Sequence, residues 1–117
     1  MDFNEKFRKR TKKSALDIIA VVSKIPYSDA VGVLRKQLIR SCTSVAANFR
    51  AVCRARSDRE RYAKLCIVVE EADETLFWLE MLDDGGFVAS QQVEGCKLEA
   101  EELLKVMSSY KKKLKPQ

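Results

Sequence analysis

The residues best equipped for chemistry are few, and their arrangement argues against catalysis. The chain contains no histidine. That removes the commonest general base, the commonest zinc partner and any Ser-His or Cys-His nucleophilic pair. Four cysteines, Cys42, Cys53, Cys66 and Cys96, lack CxxC spacing. They fall on or beside apolar helix faces, where a thiol in a reducing compartment behaves as a small hydrophobe. Carboxylates cluster at Glu70, Glu71, Asp73 and Glu74, but without histidine the Glu-x-x-His pattern of di-iron bundles is impossible. The Gly85-Gly86 pair follows a helix and makes no phosphate-binding loop. These residues lead us to expect a non-enzymatic protein with no catalytic residues, no cofactor and no metal site.

Positive charge is the stronger signal, because of where it sits along the chain. Net charge is +5, which alone says little. Residues 1–13, 50–64 and 105–115, however, hold 17 of the 22 basic residues and 4 of the 17 acidic ones. Their balance is +13, against −8 for the remainder. An antiparallel four-helix chain would bring these three segments to one end. Such a pole attracts phosphate backbones with a strong dependence on salt. Its candidate contacts are Arg54, Arg56, Arg59, Arg61 and Lys64 from the middle segment, with Lys9, Arg10, Lys12, Lys13, Lys111, Lys112 and Lys113 from the outer two. No base-reading motif or aromatic ladder is evident, so binding is expected to favour backbone and shape over sequence. Lysines near a helix C-terminus also offset the macrodipole, which is the plainer reading of the tail.

The elements that must position these residues are legible from periodicity. Only 4 Gly and 2 Pro occur among 117 residues, and 46% of the chain is hydrophobic, too few turn formers for an all-β fold and enough apolar surface for one helical core. A first helix is predicted over about 4–24, ended by Pro26. A second is predicted over 28–55, with its apolar stripe at Val31, Leu34, Leu38, Cys42, Val45, Phe49 and Val52. A third runs over 58–84 behind a Ser57–Glu60 capping box, with a stripe at Tyr62, Leu65, Cys66, Val69, Ala72, Leu76 and Leu79 and a glycine stop at Gly85-Gly86. Ser90 caps a fourth over 90–114. Short connections make neighbours antiparallel, so the expected fold is all-α, an up-down-up-down four-helix bundle in one domain, 1–117. No segment has the length and apolarity of a signal peptide or membrane span, so a cytoplasmic protein with no membrane partner is expected.

Two outer faces differ in chemistry. Opposite its core stripe, the second helix carries Lys36, Arg40, Thr43, Ala47, Arg50 and Arg54, and the third carries Ile67, Glu70, Glu71, Glu74, Trp78 and Met81. A solvated helix has little use for Ile67, Trp78 and Met81 outside. Docking the basic face on the acidic, partly apolar face of a second copy is head-to-tail, a contact that closes into a ring when the rotation permits. Within the second helix, Asn48 stands at the edge of the apolar face and needs a hydrogen-bond partner.

Residues 41–82 resemble the bacterial four-helix bundle protein family, also described as proteins encoded by intervening sequences in 23S ribosomal RNA genes. The resemblance rests on Ser44-Val45-Ala46-Ala47-Asn48-Phe49, Arg56-Ser57, Ala72-Asp73-Glu74-Thr75 and Phe77-Trp78-Leu79-Glu80. Where many members carry Glu-Gly shortly after the asparagine, this chain has Ala51-Val52, so any role of that glutamate does not carry over. The resemblance implies an up-down bundle assembled as a homo-oligomeric ring, a pentamer. It extends to the accessory variability determinant of diversity-generating retroelements, which implies RNA or DNA and a reverse transcriptase or other protein as partners. Two readings stand at this point: a ring that binds nucleic acid through its basic pole, and a protein–protein adaptor or scaffold with no nucleic-acid role.

Overall fold

A computed structural model of the chain describes residues 2–115. Four helices follow one another: α1 (Phe3–Val22), α2 (Asp29–Cys53), α3 (Asp58–Asp84) and α4 (Ser90–Leu114). Each start has a local cause. Asp2, Ser28 and Ser57 each accept the amide of the residue three ahead, Glu5, Val31 and Glu60, at 2.7, 3.1 and 3.1 Å. These bonds satisfy donors that a helix start leaves orphaned. The return half of the expected capping box is not made, because Glu60 faces Arg56 instead, at 3.8 Å. Ser90 is the first residue of α4 and not its cap. Its hydroxyl donates to Asp83, while Gln92 Oε1 accepts the amide of Ala89, the N-cap, at 3.1 Å.

The helix ends explain small departures from the predicted boundaries. α1 stops at Val22, before Lys24, because the amides of Lys24 and Ile25 turn back to Val21 and Val22 in a tighter turn ahead of Pro26. α2 stops at Cys53, short of Ala55, by the same tightening. α3 ends in a Schellman motif: Phe87 N–H donates to Leu82 O and Gly86 N–H to Asp83 O, both at 3.0 Å. Among the described residues only Gly86 has positive φ, at 72°, so of the glycine pair it alone supplies the left-handed residue.

The helices pack in cyclic order α1–α2–α3–α4. The α2–α3 contact is the most extensive and α1–α4 the slimmest. The apolar interior divides in two. Ile18, Val22, Leu38, Leu79, Leu82 and Val93 fill the half beneath the α1–α2 and α3–α4 turns. Phe7, Phe49, Val52, Leu65, Val68 and Met107 fill the half toward the chain ends. Between the halves lies a cavity of about 10 Å³, lined by the small or hydroxylated Thr11, Ser14, Cys42, Ala72, Thr75 and Ala100 together with Val45 and Leu103. Thr75 Oγ1 lies 3.1 Å from Ser41 Oγ, and each hydroxyl also has a carbonyl of its own helix, Glu71 O and Leu38 O. No buried side-chain nitrogen or oxygen among the described residues lacks a partner. None of the helices is long and apolar enough to cross a membrane.

The stripe on α3 is rotated from the predicted one. Leu65, Val68, Ala72, Thr75, Leu79 and Leu82 are the buried residues. The segments Ile67-Val68-Val69 and Leu76-Phe77-Trp78-Leu79 are apolar on every side, so periodicity alone leaves the phase of this helix open by one residue. The tertiary contact with α2 selects the phase that buries Val68 and Thr75.

Candidate nucleic-acid interface

The start of α1, the α2–α3 turn and the end of α4 meet at one tip. The Phe3 ring lies 5.2 Å from that of Tyr110 and 6.4 Å from that of Phe49. Cys53 Sγ sits 3.8 Å from Asn4 O. The three basic segments therefore converge at this end of a molecule whose long axis is 46 Å.

Not every cation there is available to a ligand. Arg10 faces Glu99 across the α1–α4 contact, with Nε 3.0 Å from Oε2. That half-buried pair holds two helices together. Lys13 pairs with Asp17 at 2.7 Å and, ten residues beyond Phe3, stands about 15 Å in from the tip. Arg61 pairs with Asp58 at 2.6 Å and donates to Ala55 O at 3.4 Å, tying down the α2–α3 turn. Lys9 pairs with Glu5 at 3.4 Å and Arg56 with Glu60 at 3.8 Å, but both are exposed, and such pairs exchange readily for a phosphate. Among the described residues, no carboxylate lies within salt-bridge distance of Arg54, Arg59, Lys64, Lys12, Lys111, Lys112 or Lys113. Lys6, Arg8, Arg50, Lys105 and Lys115 share this state and complete the set. Charge counting along the chain had included them without singling them out as phosphate contacts.

The outer faces of α2 and α3 differ from expectation in one respect. Lys36, Arg40, Thr43, Ala47 and Arg50 are exposed on α2, as are Ile67, Glu70 and Met81 on α3. Glu71, Glu74 and Trp78 are half-buried, as the rotated phase of α3 requires. Arg40 bridges Glu71 and Glu74 of its own chain at 3.1 and 2.6 Å. Part of the complementarity assigned to a second copy is thus used within one chain. Trp78 Nε1 donates to Glu74 at 3.2 Å. Together with Arg40 this bond holds the Glu74 carboxyl below the usual range, the indole bond being the larger cause. Phe77 takes the outward place expected of Trp78: its ring stacks edge-on against the indole at 4.8 Å and is 48% exposed. The outward apolar row is Ile67, Phe77 and Met81.

The remaining polar features have structural roles. Asn48 Nδ2 donates to Ser44 O at 2.9 Å and Ser44 Oγ at 3.0 Å. Burial pushes the Cys42 thiol up to about 11, and all four cysteines are free. Among the described residues no three His, Cys, Asp or Glu side chains gather in a way that could hold a metal ion.

The profile of a family described as 23S rRNA-intervening sequence protein matches residues 4–109. Among solved structures, a protein of unknown function from the S23 ribosomal protein family of Bacteroides thetaiotaomicron superposes with a TM-score of 0.84 at 28% identity, over 93% of this chain and 97% of that one. No curated protein matches the chain. With the profile spanning nearly all of the four helices, the chain belongs to the 23S rRNA-intervening sequence protein family.

Proposed function

We propose that this protein is a non-enzymatic, ring-forming subunit, pentameric as the family resemblance implies, that binds nucleic acid through its basic tip. The observation that carries the reading is the convergence of three sequence-distant basic segments, with Arg54, Arg59, Lys64 and the α4 lysines Lys105, Lys111, Lys112 and Lys113 free of any ion pair among the described residues. Cyclic symmetry supports the pairing of the two ideas. In a closed ring every copy presents the same end on the same side, so five tips would form one continuous basic face. The family description, which refers to an intervening sequence of 23S rRNA, points the same way.

The test is fluorescence anisotropy with labelled RNA and DNA across a salt series, beside light scattering for mass. Binding should weaken by about 10³-fold or more between 50 and 200 mM salt if six or more phosphates are neutralised. The variants Arg54→Glu and Arg59→Glu should weaken it further and flatten the salt slope. No binding at about 50 mM salt, where electrostatic affinity is strong, removes the reading. A monomeric mass at micromolar concentration removes the ring.

A second reading, a protein adaptor or scaffold, draws on the outward row Ile67, Phe77 and Met81. Retention of a single protein partner after nuclease treatment would favour it.

A further inference from the structure

We propose that the groove between the start of α1 and the end of α4 is a stacking site for an unpaired base of single-stranded RNA. The inference rests on the nucleic-acid reading above and adds to it the form of nucleic acid and the place where it docks. The groove is open, about 630 Å³ in volume, within the range of about 300–1,000 Å³ typical of ligand clefts. It exists because α1 and α4 touch least of all the neighbouring pairs.

Its floor is aromatic. Phe3 is 42% exposed, although an amphipathic helix start could have carried a polar residue there. Phe7 lies beneath it at 4.7 Å and Tyr110 stands edge-on beside it at 5.2 Å, so the exposed ring is held from two sides. Lys105 and Lys113 line the same groove with no carboxylate in salt-bridge range among the described residues. A rigid ring bordered by free ammonium groups is the combination that binds single strands, since every base offers a π-face and every linkage a phosphate. A duplex keeps its bases stacked and leaves such a floor empty.

Two further lining residues favour RNA. Glu102 would repel a phosphate, and it lines the groove together with Ser109, which lies about two turns further along the same face of α4. A carboxylate accepts, and a serine hydroxyl donates or accepts, from a ribose 2′-hydroxyl, the group that distinguishes RNA from DNA. The groove lies on the side of the bundle away from the outer faces of α2 and α3, so a ring built on those faces leaves it open.

The experiment compares a labelled oligouridylate, the matching deoxyuridine strand and an RNA duplex of equal length by anisotropy, using the full chain and the variants Phe3→Leu, Tyr110→Leu and Ser109→Ala. Melting curves check that each is folded. Phe3→Leu and Tyr110→Leu should weaken binding of the RNA strand on the order of 5- to 100-fold, the loss of one stacked base, with duplex affinity unchanged. Ser109→Ala should narrow the preference for RNA over DNA. Photocrosslinking of a 5-iodouridine strand to the unaltered chain should place adducts at Phe3 or Tyr110. Unchanged affinity in both ring variants, equal weakening for strand and duplex, equal affinity for RNA and DNA, or adducts only elsewhere overturns the inference and leaves nucleic-acid binding standing. Absence of binding to all three probes overturns both.

Discussion

Glu74 joins three side chains from two helices: it receives the Arg40 guanidinium from α2 and the Trp78 indole one turn along α3. Its carboxyl is held below its ordinary value, so the folded chain favours the ionised form. The stabilisation is present above the unfolded pKa, about 4.3, and is lost as pH falls through the lower native value. Trp78 is the only tryptophan, so its fluorescence should report that step directly, with a midpoint below the ordinary glutamate value. Glu74→Gln should remove it. A midpoint at or above the ordinary value would show that the contact does not persist in solution. Cys42 offers a second check at this scale. Buried, with its thiol raised to about 11, it should stay unmodified by a disulfide reagent at pH 8 in the native chain and react on denaturation. Fast labelling of Cys42 in the native chain would mean that the layer around the cavity opens readily.

The two central helices are written in their own punctuation, and that is why the sequence reads so directly at this level, whereas the predicted cap of α4, Ser90, proved to be its first residue. Ser28 and Ser57 cap α2 and α3 where their spacing to the apolar stripe requires, and the buried face of α2 is the predicted one with Ser41 added. Ser57→Ala should lower stability by about 1 kcal/mol. Gly86→Ala, at φ 72°, should cost about 1–2 kcal/mol because an L side chain is strained there; chemical denaturation measures both. A Gly86→Ala chain as stable as the parent would mean that the turn relaxes to another conformation. What periodicity did not resolve was the phase of α3. There the apolar residues surround the helix, and only the hydroxyl pair Ser41–Thr75 and the fit against α2 choose between neighbouring faces. That one-residue rotation exchanged Trp78 for Phe77 on the outside, and with it the composition of the surface open to a second copy.

At the scale of the whole molecule, charge was legible and aromaticity was not. Three basic segments could be assigned to one end because short connections fix antiparallel order. Which cations are free depends on partners such as Glu99 for Arg10, 89 residues away, and those pairings follow only from three-dimensional packing. Phe3 and Tyr110 belong to opposite ends of the chain, and although Tyr110 precedes the lysine run 111–113, only the fold brings the two rings together. The divided interior has a further consequence. The two apolar clusters meet at the layer that holds the small cavity, which is where the halves would part if they open as separate cooperative units. Native-state hydrogen exchange should then resolve two openings, one releasing amides around Phe49 and Met107 and another those around Leu38 and Val93. Under the proposed function, an end that opened on its own would let the basic tip adapt to an irregular strand while the opposite half kept the four helices in register.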